Sequence, residues 1–282
     1  MRWKRGRRSS NIEDRRGQRL GGGAFKGGIG TIVIALALGY FLGIDPSILL
    51  KLGEGLGSAQ TTRVDYQPTP EEAELAEFVS VVLADTEDTW REIFKRAGRT
   101  YEEPRLVLFA GSVRSACGMA SAAMGPFYCP ADKKVYIDLS FFSDLKRRHG
   151  APGDFAQAYV IAHEIGHHVQ TLLGTSKQVR QMQQGMGKSA ANALSVKQEL
   201  QADCYAGLWG NHADRSRNVL ESGDVEEALQ AAAAIGDDRL QKQAQGYVVP
   251  ESFTHGTSEQ RVHWFKTGIK YGDAGKCDTF SE

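Results

Sequence analysis

Apolar positions along the chain fall into a few clean periods, and these lay out the elements before any chemistry is considered. Thr69-Pro70-Glu71-Glu72 reads as a helix N-cap, a proline in the first turn and the glutamate of a capping box. Leu75, Phe78, Val79, Val82 and Leu83 then share one face, which predicts a helix from there to about Ala97. The runs Arg105 to Ala110 and Val135 to Leu139 are β-branched and aromatic and are bounded by Gly, Pro and Asp, predicting a small sheet within 105–142. Beyond residue 154 the period becomes helical. Asp154 with Gln157 suggests a second capping box for a helix ending near Gly174, and 175–190 reads as a polar loop or weak helix. Further helices are predicted over about Ala191 to Asp214, Val225 to Ala234 behind an Asp224 cap, and Thr257 or Ser258 to about Tyr271. The expected fold class is α+β, mainly helical with a small β-sheet.

One stretch has no polar face at all. Residues 27–44 carry no charge over 18 positions, enough for a helix of roughly 27 Å, close to the hydrocarbon thickness of a bilayer. Residues 1–26 hold nine Lys/Arg against two acids, so the zero net charge of the 282-residue chain conceals a basic head and an acidic body. By the positive-inside rule this predicts a basic, disordered cytoplasmic tail (1–26), a transmembrane signal anchor (27–44), a linker (45–67) and an extracytoplasmic domain (68–282). A basic head beside an apolar run points to anionic headgroups; no nucleic-acid partner is expected. The even cysteine count, Cys117, Cys129, Cys204 and Cys277, suits an oxidising compartment. Pairing Cys117 with Cys129 and Cys204 with Cys277 is plausible, although four cysteines permit three pairings.

Inside the 154–174 helix lies His163-Glu164-Ile165-Gly166-His167, an H-E-x-x-H motif. Residues i and i+4 stack on one helix face, so both imidazoles can reach one Zn²⁺ while Glu164 sits beside it as a candidate general base. Gly166 would admit a close neighbour. A third ligand must come from elsewhere, and Glu199 is the leading candidate, with Asp203 one turn on to orient a ligand histidine. Cys204 is an alternative third ligand, off the face of Glu199.

HEIGHHVQ followed by QELQADCYAG resembles the gluzincin arrangement, in which a second helix carries Glu-x-x-x-Asp. More narrowly, the chain is similar to a bacterial family of neutral zinc metallopeptidases. That likeness extends to the basic N-terminus with its anchor, SACGMASAAMGPFYCP at 115–130, KVYIDLSFF at 134–142 and FTHGTSEQRVHWF at 253–265. The resemblance implies a zincin-like domain holding one zinc per chain and hydrolysing peptide or protein substrates. His255 ahead of Arg261 is similar to a histidine-and-arginine segment of membrane-associated gluzincins, making His255 the candidate oxyanion donor and Arg261 a candidate substrate contact; Tyr128 is a second candidate donor. An extended substrate is expected along a sheet edge, for which Val135, Tyr136 and Ile137 are the candidates. The competing reading is a membrane-anchored scaffold whose zinc site is closed by a fourth protein ligand such as Cys204 or His255.

Overall fold

The computed structural model describes residues 1–20, 61–63 and 65–281, and the chain divides into two compact units, residues 16–67 and residues 1–15 with 68–282. The apolar run 27–44 lies outside the described residues. Among those described, no helix is long and apolar enough to cross a membrane.

The larger unit is α+β. Its strands are β1 (Ile12–Asp14), β4 (Arg105–Phe109), β5 (Ser112–Ser115), β6 (Gly118–Ser121), β7 (Phe127–Cys129) and β8 (Lys134–Asp138); the smaller unit contributes an antiparallel pair, β2 (Gln18–Leu20) in the stretch expected to be tail and β3 (Thr61–Arg63) in the expected linker. The main sheet has the order β1-β4-β8-β7, with β1, β4 and β8 parallel and β7 antiparallel to β8. β5 and β6 form a separate hairpin.

The helices are α1 (Pro70–Arg96), α2 (Ser140–Arg147), α3 (Asp154–Leu173), α4 (Thr175–Gln183), α5 (Lys188–Arg217), α6 (Asp224–Ala234), α7 (Asp237–Gln245) and α8 (Ser258–Tyr271). Thr69 and Glu72 close the predicted capping box on α1, and Thr257 with Gln260 forms another on α8. The predicted caps at Asp154 and Asp224 are corrected: Gly153 and Gly223 occupy those N-caps, both at positive φ. Asp154 and Asp224 are first helical residues whose carboxylates receive the Met1 ammonium at 2.6 and 3.3 Å. The polar stretch 175–190 is largely helix, and the short helices α2 and α7 are additions to the predicted elements.

The expectation of a disordered basic tail is overturned for residues 1–15. β1 pairs along β4, Trp3 packs edge-on against Phe78 at 5.4 Å, and Ser9, Asn11 and Arg7 all bond the buried carboxylate of Glu87. Three of the basic residues find acids on one helix: Lys4 meets Glu74, Arg8 meets Glu77, and Arg7 meets Glu87 and Asp88, all on α1. A charge count shows the excess of arginines but not the carboxylates that the fold sets opposite them.

α3, α5 and α8 build the scaffold of the site. A methyl on Gly166 would come 3.0 Å from the Cα of Ala202, so α3 and α5 touch at the backbone where a larger residue would hold them apart. Gly207 of α5 and Gly268 of α8 do the same, since a methyl on either would overlap main-chain atoms of the other helix. Disulfides join Cys117 to Cys129 and Cys204 to Cys277. The first ties β7 to the β5–β6 hairpin, and the second ties the C-terminal tail to α5.

Candidate metal centre

The contact at Gly166 and Ala202 lays one turn of α5 against the face of α3 that carries Tyr159, His163 and His167. Glu199 then reaches both histidines: its Oε2 is 3.1 Å from His163 Nε2 and its Oε1 is 3.4 Å from His167 Nε2. The outer nitrogens are held in turn. His163 Nδ1–H donates to Asp203 at 2.8 Å, and His167 Nδ1–H donates to Gln170 Oε1 at 2.9 Å. With both Nδ1 protons directed outward, each Nε2 presents a lone pair to the gap in which the Glu199 carboxylate also lies. Three acceptors facing one another call for a cation between them, and two imidazoles with one carboxylate is a donor set suited to zinc.

The ionisation of these groups reflects the same arrangement. Without a cation between these groups, burial disfavours charge on His163, yet Asp203 and Glu199 override it and raise its pKa to about 10, so that a proton on Nε2 takes the place a metal would hold. Burial likewise opposes the Glu199 anion, but His167 and His163 hold its pKa well below the usual carboxylate range. Glu164 is buried and shifts the other way, raised by desolvation against a smaller opposing pull from His167 and His163. A carboxylate raised in this way is a better proton acceptor than an ordinary glutamate.

Beneath His163, Asp203 has 0% exposure and is fully bonded. Arg261 donates to it through Nε and Nη2, each at 2.9 Å, and the Tyr159 hydroxyl donates at 2.5 Å. Burial opposes the charge on Asp203, and Arg261 and His163 lower its pKa to about 2. Arg261 itself is 2% exposed. Arg261 borders the cleft, as expected of a substrate contact, but its guanidinium is already engaged by Asp203 and Tyr159 and holds the histidine from below.

The second ligand histidine has a longer support. Gln170 donates to the Gln198 carbonyl at 2.7 Å and to Gln201 Oε1 at 3.1 Å, and Gln201 donates to the carbonyl of Cys277 at 3.0 Å. Tyr159 and Gln170 were missed in the sequence, although both are legible there: Tyr159 precedes His163 by four residues and Gln170 follows His167 by three.

Above the three donors opens a cleft of about 460 Å³, walled by Phe127, Phe141, Val160, Ile235 and Leu240 and floored by His163, Glu164, His167 and Glu199. His255 stands at its rim with its side chain half exposed, and its Nδ1 lies 3.1 Å from Asp237 Oδ1. The hydrogen bond that His255 donates to Asp237 raises the pKa of the imidazole against the effect of burial. Asp237 also accepts the backbone N–H groups of Thr254, His255 and Gly256, which fixes the turn carrying the imidazole. No sequence signal pointed to Asp237, because it lies 18 residues from His255 at the start of the unpredicted α7.

Two further expectations change. Val135, Tyr136 and Ile137 lie in β8, which is flanked by β4 and β7 and buried, so they form no substrate edge. Their unbroken apolar run is the signature of a central strand covered on both faces. The edge is β7, from Phe127 to Cys129. Tyr128 is on that edge, but its hydroxyl lies 3.1 Å from Nδ1 of His168, whose Nε2–H donates to the Glu102 carbonyl at 2.6 Å. Tyr128 borders the cleft with its hydroxyl already engaged by His168, which weakens its claim as oxyanion donor.

Cys204 is consumed by its disulfide. Among the described residues, the convergent group comprises His163, His167 and Glu199, with no fourth His, Cys, Asp or Glu joining it.

Comparison with known proteins agrees with this chemistry. A family model described as "Putative neutral zinc metallopeptidase" matches residues 1–280. The uncharacterized protein YpfJ of Escherichia coli (strain K12) is 53% identical over 291 positions, covering 100% of this chain and 99% of its own length. The uncharacterized protein Rv2575 of Mycobacterium tuberculosis (strain ATCC 25618 / H37Rv) is 42% identical over 219 residues, 74% of this chain and 73% of its own. No solved structure matches.

Proposed function

The chain belongs to the "Putative neutral zinc metallopeptidase" family, and from that premise we propose that it hydrolyses peptide bonds at one zinc site formed by His163, His167 and Glu199. The observation that carries this reading is the convergence of two Nε2 lone pairs and one carboxylate, each histidine fixed from behind by its own hydrogen-bond acceptor. A zinc ion bound there supplies Lewis acidity, polarising a carbonyl oxygen and making water a nucleophile near neutral pH.

The remaining work falls to the protein's side chains. Glu164 accepts the proton of the attacking water and returns it to the leaving amine, a task suited to its raised pKa. His255, whose pKa Asp237 raises, donates to the oxygen that becomes negative as the carbonyl carbon turns tetrahedral. Asp203 holds the tautomer and plane of the His163 ring, with Arg261 and Tyr159 preventing Asp203 from moving.

An extended peptide adds as a strand to the free edge of β7, and Phe127, Phe141, Val160, Ile235 and Leu240 receive an apolar side chain beside the scissile bond. The two disulfides support an extracytoplasmic domain, and residues 27–44 attach it to the membrane.

The scaffold reading loses its main support because Cys204 is disulfide-bonded and His255 lies outside the convergent donor group. The deciding experiment is metal content and peptide-library cleavage for the full-length protein and Glu164→Gln. One zinc per chain in both, with cleavage only by the parent, supports a peptidase. One zinc with cleavage by neither would favour the scaffold.

A further inference from the structure

The apolar run 27–44 is bracketed by chain that belongs to one folded body. Residues 1–15 and 68–282 form a single unit, and the chain leaves it after Arg15 and rejoins it at Pro68. The join is intimate. Ile12, Glu13 and Asp14 are in register with Leu106, Val107 and Leu108, and neighbouring strands lie about 4.8 Å apart. The hydroxyl of Ser9 bonds the Glu87 carboxylate, and the backbone N–H of Ser9 donates to the Ser80 carbonyl at 3.1 Å. A bilayer's hydrocarbon core is about 30 Å thick, so a single crossing between Arg15 and Pro68 would tear β1 from β4.

The charges point the same way. Lys4, Arg7 and Arg8 pair with Glu74, Glu77, Glu87 and Asp88 of α1, which adds ionic contacts to the same join. Within the smaller unit, Gln18 pairs with Arg63 and Leu20 with Thr61, so the outgoing and returning chains run antiparallel where they flank residues 21–60.

We propose that residues 1–15 and the peptidase domain occupy the same side of the membrane. This rests on the attachment through residues 27–44 proposed above. It replaces a cytoplasmic N-terminus opposed to an extracytoplasmic domain.

The test uses the full-length protein in intact cells. Ser10→Cys and Gln243→Cys each place one thiol at an exposed position, one in the N-terminal segment and one on α7, while all four native cysteines are disulfide-bonded. A membrane-impermeant maleimide should label the two variants to equal extents relative to detergent-lysed cells. Equal labelling of both places the protein outside the cytoplasm, and protection of both places it inside; either supports the shared side. Labelling of one with protection of the other overturns it.

A second measurement needs no substitution. A zero-length carbodiimide should join Lys4 to Glu74, 3.3 Å apart, in native membranes as readily as it joins Lys133 to Glu102, 2.6 Å apart within the domain. The second adduct without the first would overturn the proposal. Sedimentation of the protein with alkali-washed membranes reports the attachment separately, so a failure of that reading is distinguishable from a failure of the sidedness.

Discussion

Arg261 grips Asp203 with two hydrogen bonds of 2.9 Å, and both side chains are sealed from solvent directly beneath His163. Truncating one member leaves the other as an uncompensated buried charge, which costs about 3–5 kcal/mol. Asp203→Ala should therefore lower the melting temperature substantially and, by freeing the His163 ring, weaken zinc binding about 10–100-fold. Thermal unfolding and competitive zinc titration check the two effects separately. Undiminished zinc affinity in this variant would mean that His163 is oriented by something other than Asp203.

The imidazole at the rim gives a pH signature. Asp237 raises the pKa of His255, so the donor remains charged further into the alkaline range than a free histidine would. Asp237→Asn removes that support and lowers the pKa, and the alkaline limb of kcat/KM should shift toward lower pH while the acid limb stays in place. A pH–rate profile of the two proteins measures this. His255→Ala should lower kcat about 10²–10³-fold, the usual loss for one oxyanion donor, with zinc retained.

Close helix contact is as necessary as the ligands. Gly166→Val sets a branched side chain against Ala202, 3.0 Å from the first added carbon, and must push α3 off α5. Overpacking of this kind costs about 1–3 kcal/mol. The same movement carries Glu199 away from both histidines, so zinc stoichiometry should fall below one in a variant that changes no ligand.

Removing the metal should destabilise the fold as well as stop turnover. A ligand present at a thousand times its Kd stabilises a protein by about 4 kcal/mol, and chelation withdraws that contribution. The melting temperature should fall on chelation in the parent and stay unchanged in a double variant, His163→Ala with His167→Ala.

A chain beginning at residue 68 looks like the whole domain from its sequence, and the packing of residues 1–15 says otherwise. Without them the Glu87 carboxylate, 0% exposed, loses Ser9, Asn11 and Arg7 together, and β4 loses its outer neighbour. Expression of residues 68–282 alone should give a protein that aggregates or melts well below the full chain, and adding Glu87→Gln should recover part of the loss.

Much of this site could be read in the sequence because helices repeat their faces. The spacing of His163 and His167, the Glu199 and Asp203 pair one turn apart, and the long helices bearing them are all local patterns. Tyr159 and Gln170 obey the same arithmetic from the first ligand and the second. What escaped the sequence was non-local. Val135 to Ile137 gave the correct strand but the wrong position, since an apolar run shows that a strand is covered and not which neighbours cover it. Asp237 meets His255 across a turn between two helices, and Arg261 could be placed on a helix face without any indication that Asp203 waited opposite. The order of residues 1–15 escaped for the same reason: the positive residues announce themselves, whereas α1 had to be folded before its acids could be counted as partners of Lys4, Arg7 and Arg8.

The place of β1 has a consequence for synthesis. The first strand to leave the ribosome is the outermost of the sheet, and its sole sheet partner, β4, begins about 90 residues later, beyond the apolar run and the whole of α1. Until then Ile12 and its neighbours in β1 have no strand to pair with, and the nascent chain must keep that segment unfolded. Closing a loop of that length is slow compared with forming a helix, so the sheet closes at that edge late, after the surface that receives it exists. Folding of this protein therefore ends, in part, with its first residues.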